Sequence, residues 1–245
     1  MLRLTSHPRL TVAGRTDVGV HARGAVAHLD LPGALWRSVA ERGRAAEQTA
    51  LRRLRGVLPQ DVGVHRIRPV PKDFDARFSA LFRRYQYRIC DRPAEADPLR
   101  RFETLCHPRP LDEEAMARAS SRLLGLADFA AFCRRREGAS TIRTLIAFDW
   151  GRAADDGVLV ATVVADAFCH SMVRALVGAA VAVGEGRRDE AWPLAVRQGR
   201  RRDPAVTVMP ALGLVLEEVG YPPAELFAER ARQSRARREP APGGG

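Results

Sequence analysis

Apolar positions fall in short runs in the first third of the chain and in longer, clearly periodic runs after it. Residues 10–13 form a brief apolar segment that Gly14 ends. Residues 24–31 suit a second strand, with Val26 and His28 on one face and Ala25, Ala27 and Leu29 on the other. A polar turn carrying Gly14 and Gly19 lies between them. Residues 34–56 read as one helix: Ala46, Ala50, Leu54 and Val57 share a face, and Leu58-Pro59 ends it. Residues 62–70 read as a further strand, closed by Pro69 and Pro71.

Residues 78–90 predict a longer strand. Alternation puts Arg83, Tyr85, Tyr87 and Ile89 on one face and Phe82, Arg84, Gln86 and Arg88 on the other. Arginine on both faces predicts a strand beside water or a ligand. Residues 91–109, rich in Pro and charge, read as a connector. A helix follows, with Asp112 as its cap, acids in its first turn, and Met116, Ala119 and Leu123 as its stripe before Gly125. Residues 134–140 form a basic loop. Residues 142–150 and 158–165 predict strands, the second apolar on both faces, as for a strand covered on both sides.

Cys169, Met172, Val173, Leu176, Val177 and Ala180 keep helical spacing and define a buried face. His170, Arg174 and Gly178 fall on a different line of the same helix. Residues 189–200 predict another helix and residues 212–219 a last strand. From Arg230 the chain is rich in Arg, Pro and Gly, and residues 229–245 are expected to be a disordered basic tail.

Composition adds three constraints. The chain has 245 residues, of which 46% are hydrophobic, enough for an ordinary core. No apolar run is long enough for a membrane span, and Leu2-Arg3-Leu4-Thr5 does not begin an apolar leader. A cytoplasmic protein without a membrane partner is expected. Forty Lys+Arg against 29 Asp+Glu give a net charge of +11, with Lys72 as the single lysine. Such a field favours a polyanionic partner, and guanidinium groups suit phosphate. Cys90, Cys106, Cys133 and Cys169 form no C-x-x-C pair, and four free thiols are expected. The histidines show no metal spacing, which disfavours a metal hydrolase.

The chemistry centres on Ala13-Gly14-Arg15-Thr16-Asp17-Val18-Gly19-Val20-His21-Ala22. Read alone, Asp17 is an aspartate in a glycine turn, where such a residue usually bonds its own backbone. The whole string, however, closely resembles the catalytic motif of the tRNA pseudouridine synthase A family, with Val18 in place of that family's usual alanine. Phe74-Asp75-Ala76-Arg77-Phe78-Ser79-Ala80 with Arg83-Arg84-Tyr85-Gln86-Tyr87 is similar to its second motif. Residues 164–174, ending Phe168-Cys169-His170-Ser171-Met172-Val173-Arg174, are similar to its third. Residues 124–132 and 210–214 add matches in the same order, so the resemblance runs from about residue 9 to Tyr221.

The resemblance implies a mixed α/β fold of the α+β type: two ferredoxin-like halves, residues 1–91 and 92–228, sharing a continuous mixed sheet with a central cleft. It implies a cofactor-free, metal-free homodimer that isomerises uridine to pseudouridine at positions 38 to 40 of the tRNA anticodon stem-loop. Asp17 would be the catalytic carboxylate, as nucleophile or as base, and Arg174 its counter-ion. Tyr85 would stack on the target base and Arg15 take the place of the extruded base. Thr16, His21 and Phe168 complete the expected substrate contacts. A carboxylate suffices as principal catalyst because the reaction exchanges an N-glycosidic for a C-glycosidic bond without redox change.

Family members carry a strand, a Gly-Trp-Gln loop and a helix ahead of the Asp motif, whereas only 16 residues precede Asp17 here. The expectation is therefore a first half without its opening strand and helix, as from a misassigned start or a trimmed gene. The alternative function that this raises is a catalytically inactive tRNA-binding remnant. A small RNA-binding domain with the same order of elements is a third reading, but it leaves Asp17 and Arg174 unexplained.

Overall fold

The structure, a computed structural model, describes residues 8–41, 43–134, 138 and 140–236. In chain order the strands are β1 (Thr11–Val12), β2 (His21–Ala22), β3 (Ala27–His28), β4 (Phe82–Cys90), β5 (Leu105–Cys106), β6 (Gly125–Asp128), β7 (Ile142–Arg152), β8 (Leu159–Ala165) and β9 (Leu214–Gly220). The helices are α1 (Gly33–Val39), α2 (Ala46–Val57), α3 (Glu113–Ser121), α4 (Met172–Gly184), α5 (Trp192–Gln198) and α6 (Phe227–Arg235). A seven-stranded mixed sheet runs β2-β9-β4-β8-β7-β6, with β5 parallel to the end of β4, while β1 and β3 form a separate antiparallel pair.

The middle of the sheet explains why β4 has the sequence it has. Its partner β8 is antiparallel, with Tyr85 opposite Val163, Tyr87 opposite Ala161 and Ile89 opposite Leu159. Large side chains on β4 thus face mostly small ones on β8, which lets them pack at interior density. Tyr87 and Ile89 are fully buried and Tyr85 keeps only 9% of its surface. The expectation that this face of β4 meets water or ligand is corrected for Tyr87 and Ile89, which are core; only its Arg83–Tyr85 end reaches the neighbourhood of Asp17. On β8 the residues alternate between buried and half-buried, so only one of its two apolar faces is fully covered.

Helix α3 starts where Asp112 accepts from the Ala115 amide at 2.9 Å, and Met116, Ala119 and Leu123 are buried. Helix α4 lies deeper, with every residue except Arg174 buried. The line of Arg174 and Gly178 is therefore packed as well. Gly178 lies against the carbonyl of Thr207, where a Cβ would overlap it. The segment before β9 can come this close because the helix presents no side chain at that turn.

Several expectations fail between residues 33 and 70. One helix becomes two, with α1 ending at Val39 and α2 starting at Ala46; between them Gly43 has φ +79° and Glu41 bridges Arg44. Of the stripe of α2 only Ala46 is buried, and Val57 is 77% exposed. Residues 62–70 form no ladder, since no described strand lies beside them, and they remain mostly exposed.

The four cysteines are not all free. The fold brings Cys133 and Cys169 to a Cα separation of 5.7 Å and joins them as a disulfide, while Cys90 and Cys106 are free thiols. Spacing alone could not show a pairing across 36 residues. The basic tail is also corrected in part. Residues 227–235 are helical, anchored by buried Phe227 and Ala231 and by an ion pair from Arg235 to Asp75 at 2.8 Å. The rest of that expectation, residues 237–245, lies outside the described residues. Among the described residues no helix is long and apolar enough to cross a membrane.

Of the three tyrosines of the chain, Tyr85 and Tyr87 are buried and Tyr221 is partly buried. Burial pushes the Tyr85 hydroxyl up to about 12 and raises Tyr87 and Tyr221 as well. Ionisation is therefore easier in the unfolded chain, near pH 10. The stability that these groups contribute is whole below that pH and is lost as pH rises through their folded values. Titration at 295 nm should show almost no tyrosinate until unfolding, with all three appearing together. A separate tyrosinate step near pH 10 in folded protein would contradict this burial.

Candidate active site

The Asp17 loop is held at both ends by backbone. On one side, the Ala13 amide donates to Val26 O at 2.8 Å as β1 ends. On the other, β2 runs parallel to β9, with His21 opposite Val215 and Ala22 opposite Leu216. Between them the Val20 amide closes a turn on Asp17 O at 3.1 Å, and Gly19 has φ +82° with Ala211 close behind it. A side chain at position 19 would be strained in conformation and crowded in space.

The Asp17 carboxylate meets Arg174 and the imidazole of His170, both from one segment. Arg174 Nη1 donates to Oδ2 at 3.1 Å, and His170 Nε2 lies 3.4 Å from Oδ1. Arg174 also donates through Nε to Met209 O at 2.6 Å and accepts from the Met209 amide, at 3.2 Å, on its own carbonyl. The guanidinium is thus aimed before any ligand arrives. His170 and Arg174 flank the start of α4, where Ser171 sits at φ 63°. A left-handed conformation is rare for serine, and it turns the chain sharply between the two side chains. The Arg134 amide fixes that turn from outside by donating to His170 O at 3.0 Å, beside the Cys133–Cys169 bridge.

Beneath this pair, Tyr85 packs edge-on to Phe168, with ring centroids 5.2 Å apart and planes at 89°. Burial, opposed by Arg83 and assisted by Asp17, keeps the Tyr85 phenol protonated near neutral pH. It can donate a proton or a hydrogen bond there, but it cannot serve as a phenolate base. Arg15 and Thr16 are exposed next to Asp17, and Val18 is 99% exposed. His21 is also exposed, and its Nε2 donates to Phe102 O at 2.9 Å. Asp17, Arg174, Tyr85 and Phe168 therefore gather at one place, while the His21 ring is turned to the 102 carbonyl. The basic loop at residues 134–140 lies partly outside the described residues.

A family described as tRNA pseudouridine synthase matches residues 119–222. The tRNA pseudouridine synthase A of Streptomyces griseus is 56% identical over 226 residues, covering 92% of this chain and 77% of that protein. That of Frankia casuarinae is 60% identical over 232 residues, covering 95% and 81%. That of Cutibacterium acnes is 53% identical over 239 residues, covering 97% and 82%.

This chain belongs to the tRNA pseudouridine synthase A family. Its mixed sheet with helices has the character of the pseudouridine synthase fold, and it isomerises uridine to pseudouridine in tRNA. The remnant alternative is not favoured by this likeness, and the Asp17–Arg174 contact is in place in the structure. Two features of the site escaped the sequence reading. His170 stands in the third motif and off the apolar stripe with no role attached to it, and no signal marks Met209, whose backbone holds Arg174. The spacing of His170 and Arg174, four residues apart around a helix start, was the one available hint.

Replacing Arg174 by Ala removes a charge-assisted hydrogen bond of about 1.5–3 kcal/mol. Single-turnover pseudouridine formation should slow by about 10- to 150-fold, at about 1.4 kcal/mol per tenfold. A rate within twofold of the parent would show that Arg174 does not serve this carboxylate.

Proposed function

We propose that this isomerase acts on the anticodon stem-loop of tRNA, at positions 38 to 40, with Asp17 as its reacting carboxylate. The observation that carries the reading is the ionic contact between the Asp17 loop and Arg174 of α4. The reaction breaks the bond from ribose C1′ to uracil N1, turns the base and closes a bond from C1′ to C5. C5 then loses its proton and N1, which left the ribose with the bonding pair, takes one up, so product and substrate are isomers and no electron donor is needed. Asp17, paired with Arg174 and facing His170, acts on the ribose or on the base. Tyr85 and Phe168 offer an aromatic surface that a flipped uracil can meet without being read by sequence. Arg15, Thr16 and His21 contact the RNA around it, with Arg15 entering the vacated stack.

The same reading makes the enzyme a cytoplasmic homodimer, with halves at residues 1–91 and 92–228 flanking the cleft. The net charge of +11 supports RNA binding through phosphates, whose counter-ions are released on association.

The test is to map pseudouridine in tRNA transcripts after incubation with the purified chain. Isomerisation confined to positions 38 to 40, with tRNA affinity falling steeply as salt rises from about 50 to 200 mM, is the expected outcome. Modification only outside the anticodon stem-loop would overturn the substrate assignment.

A further inference from the structure

Arg83 stands directly behind the site and touches no carboxylate in an ion pair among the described residues. Its side chain instead reaches three backbone carbonyls. Nη1 donates to Asp166 O at 2.6 Å, and Nη2 donates to Ala13 O at 3.0 Å and to Arg77 O at 2.7 Å. The three carbonyls belong to three loops. Ala13 directly follows β1, four residues before Asp17. Asp166 follows β8, eight residues before Arg174. Arg77 lies in the turn that leads into β4.

A half-buried cation without a carboxylate is costly unless dipoles solvate it. Desolvation accordingly makes this guanidinium easier to deprotonate than usual. Three carbonyl groups converging on one planar fork supply that solvation, and only Arg has a fork that can meet them from a single strand position. The strand position is itself fixed, since Arg83 is paired with Ala165 on β8 and with Val219 on β9.

These contacts close a ring. Arg83 holds the root of the Asp17 loop and the root of the segment leading to α4. Arg174 joins the tips of the same two segments by its contact with Asp17. The tips can meet in a fixed geometry only if the roots are fixed. Ala13 is restrained further through its amide, and Asp166 through Thr144, whose amide donates to Asp166 Oδ1 at 3.1 Å.

We propose that Arg83 is a positioning residue for the isomerisation, setting the separation of Asp17 and Arg174 by clamping the loops that carry them. It acts through those loops and not by contact with RNA. The inference rests on the reading of Asp17 as the reacting carboxylate.

The test compares Arg83→Lys and Arg83→Ala with the parent enzyme. Four quantities are measured: melting temperature, tRNA affinity by filter binding, single-turnover rate at saturating enzyme, and protease cleavage within residues 14–19. Lysine keeps the charge but cannot span three carbonyls. Arg83→Lys should remain folded and bind tRNA within about twofold of the parent. Its rate should fall at least tenfold, with faster cleavage of the Asp17 loop. Added guanidinium, at concentrations too low to denature, should restore part of the rate of Arg83→Ala.

The inference is overturned if Arg83→Lys turns over within twofold of the parent. It is overturned equally if the loss of rate only tracks a loss of tRNA affinity. If both variants fail to fold, Arg83 serves core stability alone and the inference is wrong. An active Asp17→Ala enzyme would instead overturn the reading of Asp17, and cleavage at residues 14–19 would still report whether Arg83 clamps the loop.

Discussion

One ionic contact organises the site: Asp17, on a loop near the start of the chain, against Arg174, 157 residues further on. Neither residue is deeply buried, with side-chain exposures of 28% and 20%. Fully exposed pairs contribute about 0–1 kcal/mol, so proximity alone would not hold this one. It is held because Arg174 is already oriented by Met209 O and because α4 cannot shift. Gly178 is locked against Thr207 and the remainder of the helix is buried. Packing of α4 thus sets the position of the cation, and the cation sets the position of the carboxylate.

The same arrangement explains how chemistry is kept apart from stability. Tyr85 and Phe168 belong to the core cluster or pack against it, yet they border the carboxylate. The floor of the site is consequently rigid and apolar. Its rim, at Arg15, Thr16 and Val18, is exposed and able to meet RNA. A rigid floor favours a carboxylate placed in advance, which is where an enzyme without redox chemistry gains its rate.

Much of this was legible in the sequence. Asp112 capping α3, the stripe of Met116, Ala119 and Leu123, and the apolar line of α4 follow from local periodicity and capping, which depend on neighbours along the chain. The motif around Asp17 was legible for another reason: its resemblance named a partner that no spacing could give. What failed depended on contacts between distant segments. Tyr85 and Tyr87 looked wet because Arg83 and Arg88 flank them, but Phe168 packs on Tyr85 and the Tyr87 hydroxyl is taken up by Pro210 O. The stripe of α2 looked like a core face, yet almost nothing described lies against it. The Cys133–Cys169 pairing and the carbonyl of Met209 are products of the fold and leave no trace in spacing.

The central claim is that Asp17 is the reacting group and that its role lies in the chemical step, not in RNA binding. The most direct measurement is single-turnover conversion of tRNA by Asp17→Asn, with bound tRNA determined in the same samples. Asparagine preserves the size of the side chain and removes only the charge. The account predicts tRNA affinity close to that of the parent and no detectable pseudouridine. Pseudouridine formed at the parent rate by tRNA-bound Asp17→Asn enzyme would contradict it.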